Sequence, residues 1–181
     1  QPSRPTHPQT QAFRFHDNHG EYVELSNDQQ TAEWRGDYYG RYGIVMSRDP
    51  MEVSKLYEVH MTKRGKEVGP LCVGVVTSSP DSLTLPCWAV VGLESAVTVD
   101  SNGVSDHGDW APTDLGKALE YLPVGSHVGV SVDPSRRLHL HVNGADQGVV
   151  PCRSLPDPCW ALWELDYGYR EIKTLPVTTV P

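Results

Sequence analysis

The chain has 181 residues, a formal net charge of −8 and 38% hydrophobic residues, which predict one soluble globular domain with a sizeable core. The acidic balance disfavours nucleic acid and anionic membranes as partners, since both present phosphate charge. No apolar run is long enough to cross a bilayer, and no signal-peptide pattern opens the chain. We therefore expect a cytoplasmic protein whose partners are neutral or basic.

The two ends have the composition of linkers. Residues 1–11 are rich in Pro and Gln without apolar periodicity, and residues 176–181 are rich in Pro, Thr and Val. We therefore predict one folded domain over residues 12–175, flanked by a linker and a linker tail. Because the sequence begins with Gln1, we expect a fragment of a longer protein.

Apolar residues alternate with polar ones through most of the folded region, which is typical of half-buried antiparallel strands. The clearest run is Arg137–Val142, and turn signals such as Asn102-Gly103, Asp133-Pro134-Ser135 and Asn143-Gly144 separate the segments. The pattern predicts an all-β fold, an antiparallel β-sandwich of two packed sheets, with at most two helical turns in Thr113–Leu122. We predict the following inward-facing residues: Val23, Trp34, Val45, Val59, Val75, Val130, Leu140 and Trp163.

An ordered set of motifs resembles the Neuralized homology repeat. It begins with Phe15-His16-Asp17-Asn18-His19-Gly20 and continues through Gly43–Pro50, Leu71–Pro80, Gly125–Val130, Leu138–Gly144 and Trp160–Gly168. The resemblance is greatest to one repeat of the multi-repeat neuralized-like protein 4 group. It implies a lectin-like or SPRY-like sandwich that recruits substrates or scaffold partners for a ubiquitin-ligase system. It also implies a cytoplasmic location, with the centriole as a candidate site, and no catalysis.

Two segments are candidate partner-binding surfaces. The first, Arg35–Tyr42, combines Gly residues with the side chain types that dominate binding hot spots, although one or two of its tyrosines folding back onto the core is an equally good interpretation. The second, Asn102–Pro112, places a Trp in a polar segment, either as an exposed anchor or, the interpretation that we favour, as a lid over the sandwich. The predicted protein- or peptide-binding residues are Arg35, Tyr38, Tyr39, Arg41, Tyr42, His107, Asp109 and Trp110.

Other chemistries have weaker support. His16 and His19 lack the further ligands of a metal site, so we predict a hydrogen-bonded turn ending at Gly20, with no metal and no cofactor. The alternating His139 and His141 indicate the solvent face of a hairpin strand. The cysteines lack zinc spacing and predict reduced, mostly buried thiols at Cys72, Cys87, Cys152 and Cys159.

Two alternative functions remain open. One is a lectin-like carbohydrate-binding or carbohydrate-cleaving domain, in which Glu164 and Asp166 share a strand face and Trp160 lines the cleft. For this pair, a solvent-facing position beside a turn is an equally good explanation. The other is self-association with sister repeats, in which tethering strengthens weak contacts.

Overall fold

The structure is a computed structural model that describes residues 11–36, 42–65, 71–85 and 93–181. Within these residues the chain forms fourteen strands, a 3-10 turn at Pro80–Ser82 and a 3-10 helix at Leu115–Leu119. The strands are β1 (Val23–Ser26), β2 (Thr31–Trp34), β3 (Ile44–Met46), β4 (Lys55–Arg64), β5 (Cys72–Val76), β6 (Ala96–Val99), β7 (Gly103–Asp106), β8 (Asp109–Pro112), β9 (His127–Val132), β10 (Leu138–Val142), β11 (Ala145–Val149), β12 (Trp160–Glu164), β13 (Tyr169–Thr174) and β14 (Thr178–Thr179).

The strands form two antiparallel sheets, as predicted. Among the described residues, the first sheet has the order β1-β2-β13-β4-β9-β10-β11, with β14 also paired to β4. The second sheet has the order β3-β12-β5-β6-β7-β8. The β-sandwich predicted from the alternating pattern is therefore confirmed.

A core of apolar side chains fills the space between the sheets. All eight residues predicted to face inward are buried in this core, and both Trp34 and Trp163 are fully inaccessible. Trp163 also joins the sheets directly, because its Nε1 on β12 donates a hydrogen bond to the carbonyl oxygen of Val128 on β9 at 3.3 Å. A smaller apolar cluster covers the other face of the second sheet and includes Ile44, Met46, Val76, Leu93, Ala96, Trp160 and Leu162.

Both predicted Asn-Gly pairs lie in turns between paired strands, but only one of them has the positive φ angles expected of Asn-Gly. Asn143 and Gly144 have φ angles of 51° and 81°, as a type I′ turn between β10 and β11 requires. At Asn102 and Gly103 the side chain of Asp100 instead accepts hydrogen bonds from both backbone N–H groups, at 2.8 and 3.0 Å. The positive φ angles predicted for this second turn were wrong, because the Asp100 side chain offers the backbone a competing turn.

The positive-φ turn of this region lies five residues later. His107 and Gly108 have φ angles of 52° and 91° and join β7 to β8 as a tight hairpin. The segment predicted as a polar loop is therefore mostly a pair of strands. Gly103 permits this packing, because a Cβ there would lie 2.5 Å from the carbonyl oxygen of Ala111.

Both the helical segment and the tail have partners in the sandwich. The predicted helix is a 3-10 helix over Leu115–Leu119, within the limit set by the sequence. The composition of residues 176–181 predicted a linker, but Pro176 bridges to Ala12 and β14 pairs with the start of β4. Strand β14 extends the ladder between β13 and β4 toward the start of β4. The pairing satisfies backbone groups of the tail, which its composition does not predict.

Truncating Trp163 should destabilise the sandwich far more than truncating Trp110. We expect Trp163→Ala to cost roughly 3–5 kcal/mol in the free energy of unfolding, because it empties a fully buried site and breaks the link between the sheets. The matched control Trp110→Ala, on the exposed strand β8, should cost less than about 1 kcal/mol. Urea unfolding of both variants measures this, and equal losses would contradict the assigned burial.

Candidate binding surfaces

The described part of the first predicted surface, which includes Arg35 and Tyr42, lies at the β1–β2 edge of the first sheet. Arg35 Nε is 2.9 Å from Glu24 Oε2 and 2.9 Å from Glu33 Oε1, so its guanidinium is held along the strands. The ring of Tyr42 packs edge-on against Tyr22 at 5.2 Å between centroids, so Tyr42 folds back onto the domain. Three predicted residues of this surface, Tyr38, Tyr39 and Arg41, lie outside the described residues.

The second predicted surface is the β7–β8 hairpin. Trp110 is 61% exposed, and every residue of β8 is exposed. The interpretation of Trp110 as a buried lid is therefore wrong. Trp110 pairs with Ser105 across the hairpin. Its indole ring lies beside Gly103, at the place where a Cβ would be, and so packs on the hairpin itself.

Charge pairs hold this hairpin against the segment that follows β11. His107 Nδ1 is 2.6 Å from Asp106 Oδ1, and the backbone N–H of Arg153 donates to Asp106 Oδ2 at 2.9 Å. Burial raises the pKa of Asp106, but the contacts with His107 and Arg153 outweigh it and lower the pKa below its ordinary value. Asp109 Oδ2 is 3.3 Å from Arg153 Nη2. These contacts connect the hairpin that carries the exposed Trp110 to the segment after β11.

The structure does not bring the two predicted groups together. Arg35 and Tyr42 lie beside β1 and β2, at one end of the first sheet. His107 lies in the turn between β7 and β8, and Asp109 and Trp110 lie on β8, at the end of the second sheet remote from β3. The backbone N–H of Tyr22 donates to the carbonyl oxygen of Tyr42, and that of Gly20 donates to the carbonyl oxygen of Ile44 on β3. The β1–β2 end of the first sheet therefore lies beside β3. Because β3 and β8 are the two ends of the second sheet, the two groups occupy opposite edges of the sandwich.

A third surface, which sequence reasoning missed, is a cavity of about 520 Å³ on the outer face of the first sheet. Its lining includes His139 and His141, which were predicted to share an exposed face. For His141 this prediction was wrong, because its side chain is only 5% exposed and its Nε2 is 2.8 Å from Ser131 Oγ. The turn after Asp133 sets the β9–β10 register and makes Ser131 a diagonal neighbour of His141, which the sequence could have suggested.

His139 connects the two loops that border this cavity. Its Nε2 is 2.8 Å from Asp133 Oδ2 and its Nδ1 is 3.0 Å from Asp146 Oδ2. Burial by itself would raise the pKa of Asp133, but hydrogen bonds from His139 and from the backbone and guanidinium of Arg137 lower it to about 2. The β9–β10 turn and the β10–β11 hairpin are therefore tied together through one imidazole ring.

Comparison with known proteins places this sandwich in a family. The family model described as Neuralized matches residues 15–175, which is most of the chain. The chain belongs to the Neuralized family. It is also similar to the neuralized-NHR1 domain of Drosophila melanogaster in a crystal structure, with 16% identity over 91% of this chain and 98% of that chain, and a TM-score of 0.69.

Two further solved structures share the Neuralized-type fold. A solution structure of the NHR domain in Neuralized from Drosophila melanogaster has 15% identity over 94% of this chain and 95% of that chain, with a TM-score of 0.69. The SPRY domain of human HERC1 has 11% identity over 90% of this chain and 97% of that chain, with a TM-score of 0.66. At these identities the likeness describes the fold.

The family's opening His residues have separate hydrogen-bond partners. His16 Nε2 is 2.9 Å from Asp81 Oδ1, and His19 Nδ1 is 2.9 Å from the carbonyl oxygen of Gly20. A Cβ at Gly20 would lie 2.0 Å from the carbonyl oxygen of Tyr42, so this turn requires glycine. In the described part of the chain, no three His, Cys, Asp or Glu side chains form a metal-binding group.

The residues suggested for carbohydrate chemistry do not form an open cleft in this Neuralized domain. Glu164 and Trp160 are only 7% and 8% exposed. Asp166 lies beyond the end of β12, where its Oδ1 accepts hydrogen bonds from Gly168 and Tyr169. The interpretation of Glu164 and Asp166 as a solvent-facing pair on one strand was therefore wrong, because apolar residues cover that face of the second sheet.

The described cysteines include two thiols whose burial disfavours the thiolate form. Cys152 and Cys159 are free thiols, and burial raises the pKa of both, to about 11 for Cys152. Cys72 is half-buried on β5, and Cys87 lies outside the described residues.

Across residues 11–36, 42–65, 71–85 and 93–181, no helix is long and apolar enough to span a membrane.

The burial of His141 predicts a specific loss of stability in mild acid. Burial lowers its pKa in the folded state, so the unfolded chain takes up the proton first as the pH falls below the ordinary value of about 6.5. We expect the free energy of unfolding to decrease between about pH 7 and pH 5, and His141→Gln to remove part of that decrease. Urea unfolding at both pH values measures the difference.

Asp133→Asn is the matched control for this measurement. The pKa of Asp133 is about 2 when folded and has an ordinary value of 3.8, so its contribution is fully present at both pH values and is lost only in stronger acid. The control should lower stability equally at pH 7 and pH 5. A His141→Gln variant with the full parental pH dependence would contradict the assignment.

Proposed function

We propose that this Neuralized domain is a non-catalytic protein-interaction module that recruits substrates or scaffold partners for a ubiquitin-ligase system. Family membership supports the interaction role, since Neuralized and SPRY-like domains generally bind proteins or peptides. The ligase context, the likeness to the neuralized-like protein 4 group and a cytoplasmic or centriolar location are parts of the same proposal. The observation that carries it is the exposed Trp110 on strand β8.

Strand β8 has the features of a docking edge. It ends the second sheet, and within the described residues no strand pairs with its outer side. An edge of this kind offers backbone N–H and C=O groups to an extended segment of a partner. Trp110 supplies the large aromatic surface that anchors such contacts, and Asp109 adds an exposed carboxylate next to it. The partner segment should therefore be extended and basic or neutral.

Arg35, at the opposite edge, is the described residue of the second part of the proposed surface. Arg35 is more than half exposed despite its two ion pairs, and it precedes the segment that contains Tyr38, Tyr39 and Arg41. The distance between the two edges means that a single short peptide does not contact both. We therefore propose that these residues are a separate contact region for a larger partner, and that the Trp110 edge is the primary one.

Affinity capture from cytosolic extract tests this proposal. The immobilised domain is compared with Trp110→Ala and with Tyr121→Ala, a control that removes another exposed aromatic ring, and captured proteins are identified by mass spectrometry. We expect Trp110→Ala to lose the parent's partners by tenfold or more, as is typical of a hot-spot residue. The Tyr121→Ala variant should retain them, and ligase subunits should be among them.

A further variant separates the two contact regions. Retention of all partners by Trp110→Ala, with loss in a Tyr38/Tyr39/Arg41 triple alanine variant, would move the primary site to the opposite edge. Retention by both variants would reject the assigned surfaces. Capture of specific partners that include no ligase component would reject the ligase context while leaving the interaction role intact.

The same free edge favours one alternative, which is self-association. An antiparallel strand with all residues exposed can pair with its copy in a second molecule around a two-fold axis. In that case sedimentation should show dimers at high concentration that Trp110→Ala abolishes. A monomer at every accessible concentration would exclude pairing between identical copies.

A further inference from the structure

The outer-face cavity of the first sheet contains a buried polar pair at its floor. Ser131 is only 3% exposed and His141 only 5%, and both line the cavity. Their side chains share one hydrogen bond, of 2.8 Å between Ser131 Oγ and His141 Nε2. Nδ1 of His141 makes no hydrogen bond with the described residues, and it is not one of their fully buried polar atoms that lack a partner, so it is the ring atom left for a ligand in the cavity.

The proton in this pair can be assigned from the acceptors within reach. The hydroxyl of Ser131 has no described acceptor other than His141 Nε2. If Nε2 carried the proton instead, the buried hydroxyl would have no acceptor, which is costly. Ser131 is therefore the donor, and because burial keeps the ring neutral, the ring proton of His141 resides on Nδ1.

The rim of the cavity offers one more donor and one acceptor. The Arg137 guanidinium uses Nε to bind Asp133, and its Nη groups make no described hydrogen bond. Asp133 is saturated, since it accepts from Ser135, Arg137 and His139. Asp146 is about half exposed and retains lone pairs beyond its bonds to Gly148 and His139.

The charges and walls restrict what can enter. The carboxylates of Asp133 and Asp146 both line the cavity, so they repel a negatively charged ligand. Leu56, Pro134 and Val180 supply an apolar wall. The volume of about 520 Å³ lies in the range of small-ligand sites, which combine apolar walls with a few placed polar groups.

We propose that this outer-face cavity is a second binding site, separate from the Trp110 edge, for an uncharged amide group with a small apolar substituent, such as one unit of a peptide backbone. The amide oxygen accepts from His141 Nδ1 and Arg137, and the amide N–H donates to Asp146. The apolar substituent packs against Leu56 and Val180. Ser131 is a positioning residue, because it fixes the imidazole tautomer without contacting the ligand.

Two isosteric probes test the chemistry by NMR titration. N-acetyl-leucinamide should shift the resonances of the His141 ring and of β9–β10 amides, with a dissociation constant on the order of millimolar for so small a ligand. N-acetyl-leucine, which carries a carboxylate, should bind at least tenfold more weakly. Trp110→Ala should bind both probes as the parent does, so the two sites are tested independently.

Substitutions in the site give a matched set. Asp146→Asn should reduce the difference in dissociation constant between the two probes, because it removes a negative charge that repels the carboxylate of N-acetyl-leucine. Ser131→Ala should weaken N-acetyl-leucinamide binding roughly fivefold, the scale of one hydrogen bond, because the ring proton can then move to Nε2. The ring ¹⁵N shifts of His141 report that redistribution, which a merely structural role for Ser131 would not produce.

Three outcomes would overturn the proposal. These are equal binding of the two probes, shifts that map away from β9 and β10, and a parent ring protonated on Nε2. The last observation requires no variant, so it decides the question even if Ser131→Ala fails to fold.

Discussion

The position of Trp163 between the sheets is the constraint on which the rest of the structure depends. Its indole stacks on Phe13 at 5.7 Å and meets Phe15 edge-on at 6.2 Å, while its Nε1 binds the Val128 carbonyl of the opposite sheet. A fully buried Trp with a satisfied N–H sets both the spacing and the alignment of the layers. Strand β12, which carries it, lies between β3 and β5.

This placement also decides which faces of the sandwich are available. Because successive strand residues point to opposite faces, an inward Trp163 sends Leu162 and Glu164 outward. There the second apolar cluster, which includes Trp160, packs on the sheet. The outer face of the first sheet is polar instead and holds the Ser131–His141 pair. Among the described residues, the two sites proposed above therefore lie at a strand edge and on that polar face.

The acidic charge of the chain is locally balanced at these surfaces. His139 lies between Asp133 and Asp146 beside the cavity, and Arg153 lies between Asp106 and Asp109 beside the exposed hairpin. In both places one side chain bridges two carboxylates and so fixes a loop that contains two like charges. Over the whole sequence, 23 Asp and Glu residues against 15 Lys and Arg residues give a net charge of −8, which favours neutral or basic partners.

The sequence by itself determined the all-β sandwich, its inward-facing residues and the family. Alternation of period two is a local property, so the burial of Val130 and Leu140 could be predicted from it. It did not determine which turn takes a positive φ, because Asp100 competes locally for the backbone at Asn102-Gly103. It also missed the exposure of Trp110 and the burial of His141. Both depend on strand order and on what packs over an outward face, and these are fixed only when distant segments meet.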